Sequence, residues 1–369
     1  MKRYCLVLAC CAAAIAAVSC KKKAETGEPP IALVSSIIEN QSMPAHRMVA
    51  GYNAADPSKS VFLVGSPELC ESLRARLLEV DDFDNIDGRR SPDGLPDFAG
   101  EVVCTVVDFA NSPYSLFTAR GNEAALREVT VRNLLAAMDT LCFINEYDKA
   151  GVGSKPLPKT VVMVSPYATA CGKYDVDTLM KALGCRLPVV FPVETMLDKV
   201  FAAKKGSLAV GFITGEESLS AEGYAQLLAK KAAREGREGC ESIVFPSEIM
   251  AADPLLAFLD SCLVEGKVRP LDAIIVDDPN ADADALRMTL SRITNPANPE
   301  SLSYGKLIAP GCVLQEITEV VSDECYAILR AGNLFTHRIA FPSSLEFKTV
   351  PAADSTFVLT PYDNGDPLR

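Results

Sequence analysis

The chain has 369 residues, with 36 Lys and Arg against 48 Asp and Glu, for a formal charge of −12. That acidic balance offers no basic stripe to neutralise phosphates and argues against a nucleic-acid partner. The length corresponds to two domains of ordinary size, each long enough for a substantial core, and two histidines without ligand spacing give no zinc site.

Taken in chain order, Lys2 and Arg3 precede an almost wholly apolar run over residues 6–18. At about thirteen residues this run is too short to cross a bilayer as a helix. Ala17-Val18-Ser19-Cys20 places small residues at −3 and −1 before a cysteine and resembles the lipobox of bacterial lipoproteins. The resemblance implies a signal peptide over 1–19, a lipid on Cys20, and an extracytoplasmic, membrane-tethered position in the cell envelope. Removing 1–19 takes two positive charges away, from −12 to −14. Residues 20–58 then read as a tether, basic at Lys21 to Lys23, and an N-terminal extension. In that extension 31–38 is either one more strand or a surface segment. No later segment reaches eighteen apolar residues. Of thirteen cysteines, four fall in residues 1–20, and the other nine are scattered without a C-x-x-C pair. They read as core thiols rather than a disulfide framework.

From 59 onward short apolar, β-branched runs alternate with helical patterns. Strand 61–64 leads to helix 67–80, with Ser66 as N-cap. A polar Asp/Gly/Pro loop over 81–100 leads to strand 102–107. A long helix over 122–147, a linker turn over 151–158, strand 160–164, helix 175–183 and strand 187–191 complete the first series. Helix 194–203 opens a second, with strands 208–213, 242–245, 272–276 and 306–309 and helices 221–235, 254–264, 283–293 and 314–329. A last extended piece covers 338–347. This order predicts α/β architecture: two doubly wound Rossmann-like lobes with parallel sheets around an interlobe cleft. The lobes span 59–192 and 193–345, with a tail over 346–369.

Several stretches carry a resemblance to the type 1 periplasmic solute-binding proteins. Thr160-Val-Val-Met-Val-Ser-Pro166 followed by a helix and Leu187-Pro-Val-Val-Phe191 resembles that family's path to its hinge. In the second lobe, 207–215 resembles the opening strand, 271–278 the ligand-facing strand and Asp, and 326–332 with 339–342 the closing helix and strand. The loop 81–100 and the N-terminal extension depart from the family. Ala168-Thr169-Ala170 after a strand, strand 272–276 and 305–311 are also similar to the aspartate/glutamate racemase-like fold. That reaction needs two thiols, one as base and one as acid. The matching places here hold Tyr167 and Asp277 or Asp278, and Cys171 has no visible partner.

Ligands of doubly wound sheets sit beyond the carboxyl ends of strands, near helix N-termini. That rule selects Ser66, Asp108, Asn111, Ser165, Tyr167, Thr169, Glu194, Thr214, Glu216, Asp277 and Asp278, each also explicable as a cap or a solvated loop residue. Asp277-Asp278 is the best pair, since Pro279 takes the chain out of the sheet directly after it. The acids at 278, 282 and 284 lack the Gly and the bidentate Glu of a calcium loop and suit a helix N-terminus. Residues 151–155 do not make a phosphate loop, and neither a nucleophile elbow nor a triad is present. The resemblances imply a solute-binding lipoprotein, without catalysis or cofactor, that closes its lobes over a small polar ligand for a transporter or sensor. The alternatives are an extracytoplasmic enzyme on the racemase-like scaffold, or a structural lipoprotein.

Overall fold

The computed structural model describes residues 29–145, 147, 152–215, 217–246, 253–266, 269–336, 338–351 and 357–362. The signal peptide and Cys20 lie outside them. Helices α1 (Ala32–Glu39) and α2 (Pro44–Ala50) precede β1 (Ser60–Gly65), α3 (Pro67–Glu79), β2 (Val102–Val107), α4 (Ser115–Ala119) and α5 (Glu123–Met138). The antiparallel pair β3 (Leu141–Phe143) and β4 (Val152–Ser154) follows, then β5 (Pro158–Met163), a π-helical turn (Ala168–Gly172), α6 (Lys173–Ala182), β6 (Val189–Val190) and α7 (Pro192–Ala203). The second series runs β7 (Ala209–Thr214), α8 (Ala221–Arg234), β8 (Glu241–Pro246), α9 (Pro254–Val264), β9 (Leu271–Asp277), α10 (Ala283–Thr294) and α11 (Ser301–Tyr304). It ends in β10 (Ile308–Glu316) and α12 (Ile317–Ala331), after which β11 (Ser343–Pro351) and β12 (Phe357–Pro361) close the fold.

The strands form two sheets, eight-stranded in the order β4-β3-β12-β11-β2-β1-β5-β6 and four-stranded in the order β10-β9-β7-β8. The four-stranded sheet is parallel throughout, and the larger one is parallel except where β12 meets β11 and β3 meets β4. The α/β architecture of two doubly wound parallel sheets, read from the alternation of elements, is thus present. The central strands are apolar at nearly every position because helices cover both faces. Along β1, Val61 and Leu63 point into one cluster and Phe62 and Val64 into another. The same alternation divides β7 and β9: Val210, Phe212, Ala273 and Ile275 join the cluster of Val61 and Leu63, while Ala209, Ile213, Ile274 and Val276 pack on the far side. One apolar cluster therefore runs unbroken from the first sheet to the second, filled by α3, α7, α8 and α12, and residues 31–369 form one compact unit.

Five sequence readings are corrected. Residues 31–38 are neither strand nor loose surface but mostly the helix α1, burying Val34 and Ile37 one turn apart. The long helix stops at Met138, where Asp139 turns extended and frees Leu141–Phe143 to pair with β12 and β4. The expected linker at 151–158 supplies β4 and the start of β5. Residues 314–316 continue β10 along β9, although their apolar spacing suits a helix, because pairing with an already buried strand satisfies their backbone groups. The expected tail supplies most of β11 and all of β12, inserted between β2 and β3 of the first sheet.

Gly172 closes the π-helical turn against α5, where a Cβ would stand 2.4 Å from the Thr130 Cβ and 2.5 Å from its Oγ1. Both partners are backbone-anchored, so Gly172→Ala must push two helices apart. We expect a loss of about 1–3 kcal/mol in urea unfolding. A loss under ~0.5 kcal/mol would show that the two helices separate freely.

Candidate functional site

The carboxyl ends of the strands carry the polar residues in both sheets. In the second sheet Thr214 of β7 is in register with Asp277 of β9, and Val276 with Glu316 of β10. Asp277 is 2% exposed, and its carboxylate accepts a hydrogen bond from the Tyr224 hydroxyl of α8. Burial pushes the Asp277 carboxyl up from its ordinary 3.8 to about 6, opposed by the Tyr224 hydrogen bond and reinforced by Asp278 and Glu316. Burial likewise raises the Glu316 carboxyl, although it caps α12 by accepting from the N–H groups of Thr318 at 2.7 Å and Glu319 at 3.1 Å. Burial and the Asp277 charge raise the Tyr224 hydroxyl in turn. Two buried carboxyls that hold protons more tightly than usual thus stand on neighbouring strands. Asp278 is half-buried and accepts from the Asn280 N–H at 3.0 Å. Asp282 caps α10, accepting from the Ala285 N–H at 2.9 Å.

In the first sheet, Asp108 ends β2 fully buried. Its carboxylate accepts from Asn111 (2.8 Å), Tyr114 (2.9 Å), Asn133 (2.8 Å) and Thr349 (3.1 Å). Its role is that of a hub tying β2, α5 and β11 together. Ser66 and Thr169 are buried with hydroxyls that find no hydrogen-bond partner among the described residues. Ser165 is buried, and its hydroxyl accepts from the Tyr167 N–H at 3.2 Å.

Tyr167 joins the sheets: its hydroxyl donates to the Ser218 carbonyl at 3.0 Å, and the Ser218 hydroxyl donates to the Asp277 carbonyl at 3.1 Å. Ser66, Asp108, Asn111, Ser165, Tyr167 and Thr169 accordingly gather at one sheet's end, and Thr214, Asp277 and Asp278 at the other's. Glu194 stands apart on α7, paired with Arg234 at 2.8 Å and Lys173 at 3.2 Å. Glu216 lies outside the described residues. Its neighbour Glu217 reaches across, since its charge helps raise Cys70, Tyr114 and Tyr167. Tyr224, Glu217 and Glu316 were missed by the strand-end rule: Tyr224 lies one turn into a helix, and Glu316 was hidden inside a stretch read as helical. Among the described residues no group of three or more His, Cys, Asp or Glu is disposed to hold a metal ion.

No family model matches the chain, and no curated protein is similar to it in sequence. Among solved structures, glutamate racemase from Francisella tularensis has 12% identity and a TM-score of 0.46, covering 81% of this chain and 91% of its own. The racemase isoform RacE1 from Bacillus anthracis has 13% identity and a TM-score of 0.46, covering 80% and 90%. Glutamate racemase from Thermus thermophilus has 15% identity and a TM-score of 0.39, covering 81% and 91%. Each is similar to this chain over about four fifths of this chain's length. All three are enzymes, and the expectation of a protein without catalysis is corrected and given up on that finding. Likenesses of this size assign neither a reaction nor a substrate to the chain.

Proposed function

We propose that this is a membrane-tethered protein of the cell envelope, lipid-anchored through Cys20, that performs acid–base chemistry on a small polar substrate where its two sheets meet. The observation that carries the chemistry is the Asp277 carboxyl, held near 6 by burial at a strand end with Tyr224 and Glu316 beside it. A carboxyl group in that range both gives and takes a proton near neutral pH, as a general acid or base must. The racemase-like resemblance of the sequence implies that Tyr167 and Asp277 or Asp278 take the places of that fold's two thiols, and on that reading proton transfer runs through oxygen acids.

The test is proton exchange. The full chain is incubated in D2O with amino acids and 2-hydroxy acids, and exchange at Cα is followed by NMR beside Asp277→Asn. The reading expects exchange with at least one compound and a loss of at least a hundredfold in the variant. Equal exchange in both proteins, or none in either, overturns it. The anchor is tested separately: Cys20→Ala should move the protein from membrane to soluble fractions and abolish fatty-acid labelling. Retained labelling in that variant contradicts the tether.

A further inference from the structure

We propose that a cavity beside the first turns of α3 binds a small organic cation, a primary amine or guanidinium on an apolar stem. The cavity measures about 390 Å3, within the usual range for small-molecule sites. Asn280 lines it and donates its N–H to Asp278, so the cavity adjoins the Asp277 cluster, but Asp277, Tyr224 and Glu316 do not line it.

Its floor is Thr105 of β2, which is 2% exposed yet makes no side-chain hydrogen bond to another described residue. A buried hydroxyl facing a cavity without a partner costs free energy unless a ligand or water satisfies it. The walls are acidic: Glu68 and Glu71 of α3 and Glu346 of β11. Arg74 pairs with Glu71 at 3.0 Å and lies 3.9 Å from Glu346, offsetting one of the three charges. Glu68 has no ion-pair partner among the described residues. The positive end of α3 and Lys348, which lies 5.7 Å from the Tyr362 ring centre, lower the acidity of these walls.

The mouth is aromatic. Phe109, 44% exposed, meets Tyr362 edge-on with ring centres 5.0 Å apart, and the Tyr362 N–H donates to the Glu346 carbonyl at 2.9 Å. An exposed aromatic ring beside carboxylates suits a cation that carries apolar surface, through cation–π attraction and burial together. The floor hydroxyl can accept from the ammonium or guanidinium group.

The experiment is calorimetry on the purified full chain with cadaverine, agmatine and phenethylamine as probes, against 1,5-pentanediol and glutarate as neutral and anionic counterparts. At least one cation should bind, at least tenfold tighter than either counterpart. Thr105→Val, close in shape, should weaken that binding about fivefold, and Glu68→Gln should weaken it severalfold and reduce its salt dependence. Both variants should keep the parent's unfolding midpoint. Absence of binding by all three cations, equal binding of the diol or glutarate, or unchanged affinity in both variants overturns the proposal.

Discussion

Asp277→Asn is expected to flatten the dependence of stability on pH between about 4 and 6, removing a change of about 3 kcal/mol. The sign follows from the raised carboxyl. In the unfolded chain Asp277 ionises around its ordinary 3.8, and in the folded protein only at about 6. Below pH 3.8 both states are protonated, so the stability the neutral group supports is fully present. As pH rises through about 6 the unfolded state sheds its proton first, and stability falls until the folded group ionises too. Asn cannot ionise, yet its carbonyl still accepts from Tyr224. Any fixed cost of burying the amide is the same at every pH and leaves the slope untouched. Glu316, Asp97 and Glu101 are also raised by burial and act in the same direction, but they persist in both proteins. Urea titrations at pH 4, 5, 6 and 7.5 should show the variant gaining on the parent as pH rises. A constant difference across the series, or one that shrinks, contradicts a raised Asp277.

Lys159→Met should cost about 3–5 kcal/mol at pH 7.5, because it strands a buried carboxylate. Lys159 is fully buried at the start of β5, with its ammonium 2.5 Å from the Glu101 carboxylate, itself 1% exposed. The same ammonium donates to the carbonyls of Leu334 at 2.7 Å and Pro57 at 3.1 Å. One charge thus ties together the segment before β1, the start of β5 and the stretch after α12. Burial lowers the Lys159 ammonium and raises the Glu101 carboxyl, opposed in each by the hydrogen bond between the two and then by their Coulomb attraction. Without the lysine, the Glu101 carboxyl rises further and is protonated more readily as pH falls. The deficit should therefore shrink as pH falls, since a neutral carboxyl is cheaper to bury than an unpaired charge. Lys159→Met with Glu101→Leu should recover most of the loss. A single-variant cost under ~1 kcal/mol, or a double variant as unstable as the single, would show that the pair carries little.

The solute-binding resemblance implied lobes that shut like a clam. The cluster shared by Val61 and Leu63 of β1 with Val210 and Phe212 of β7 opposes that motion. Parting the lobes would expose side chains whose burial is worth about 1.5–3 kcal/mol each. Nothing in the order of elements carries this information, since binding proteins and racemase-like folds share the same alternation of strand and helix.

The strands around residues 61–64, 208–213 and 272–276 were legible because burial on both faces writes a continuous apolar run, which local composition alone reveals. Asp277 was legible as a strand-end acid, because Pro279 has no N–H to continue the ladder. β12 and the strand end of β10 were not legible. Leu314 is as apolar in a helix as in a strand, and only pairing with β9 decides between them. The chemistry of the site belongs wholly to the tertiary structure. Asp108 and Asp277 look alike in sequence, each an acid after an apolar strand. Asp108 meets four donors, one from Thr349 of the last strands, and is held as a hub. Asp277 meets Tyr224, with Glu316 for a neighbour, and holds its proton to about 6. The difference is which partners the crossovers deliver to each carboxylate, and distances along the chain do not encode that.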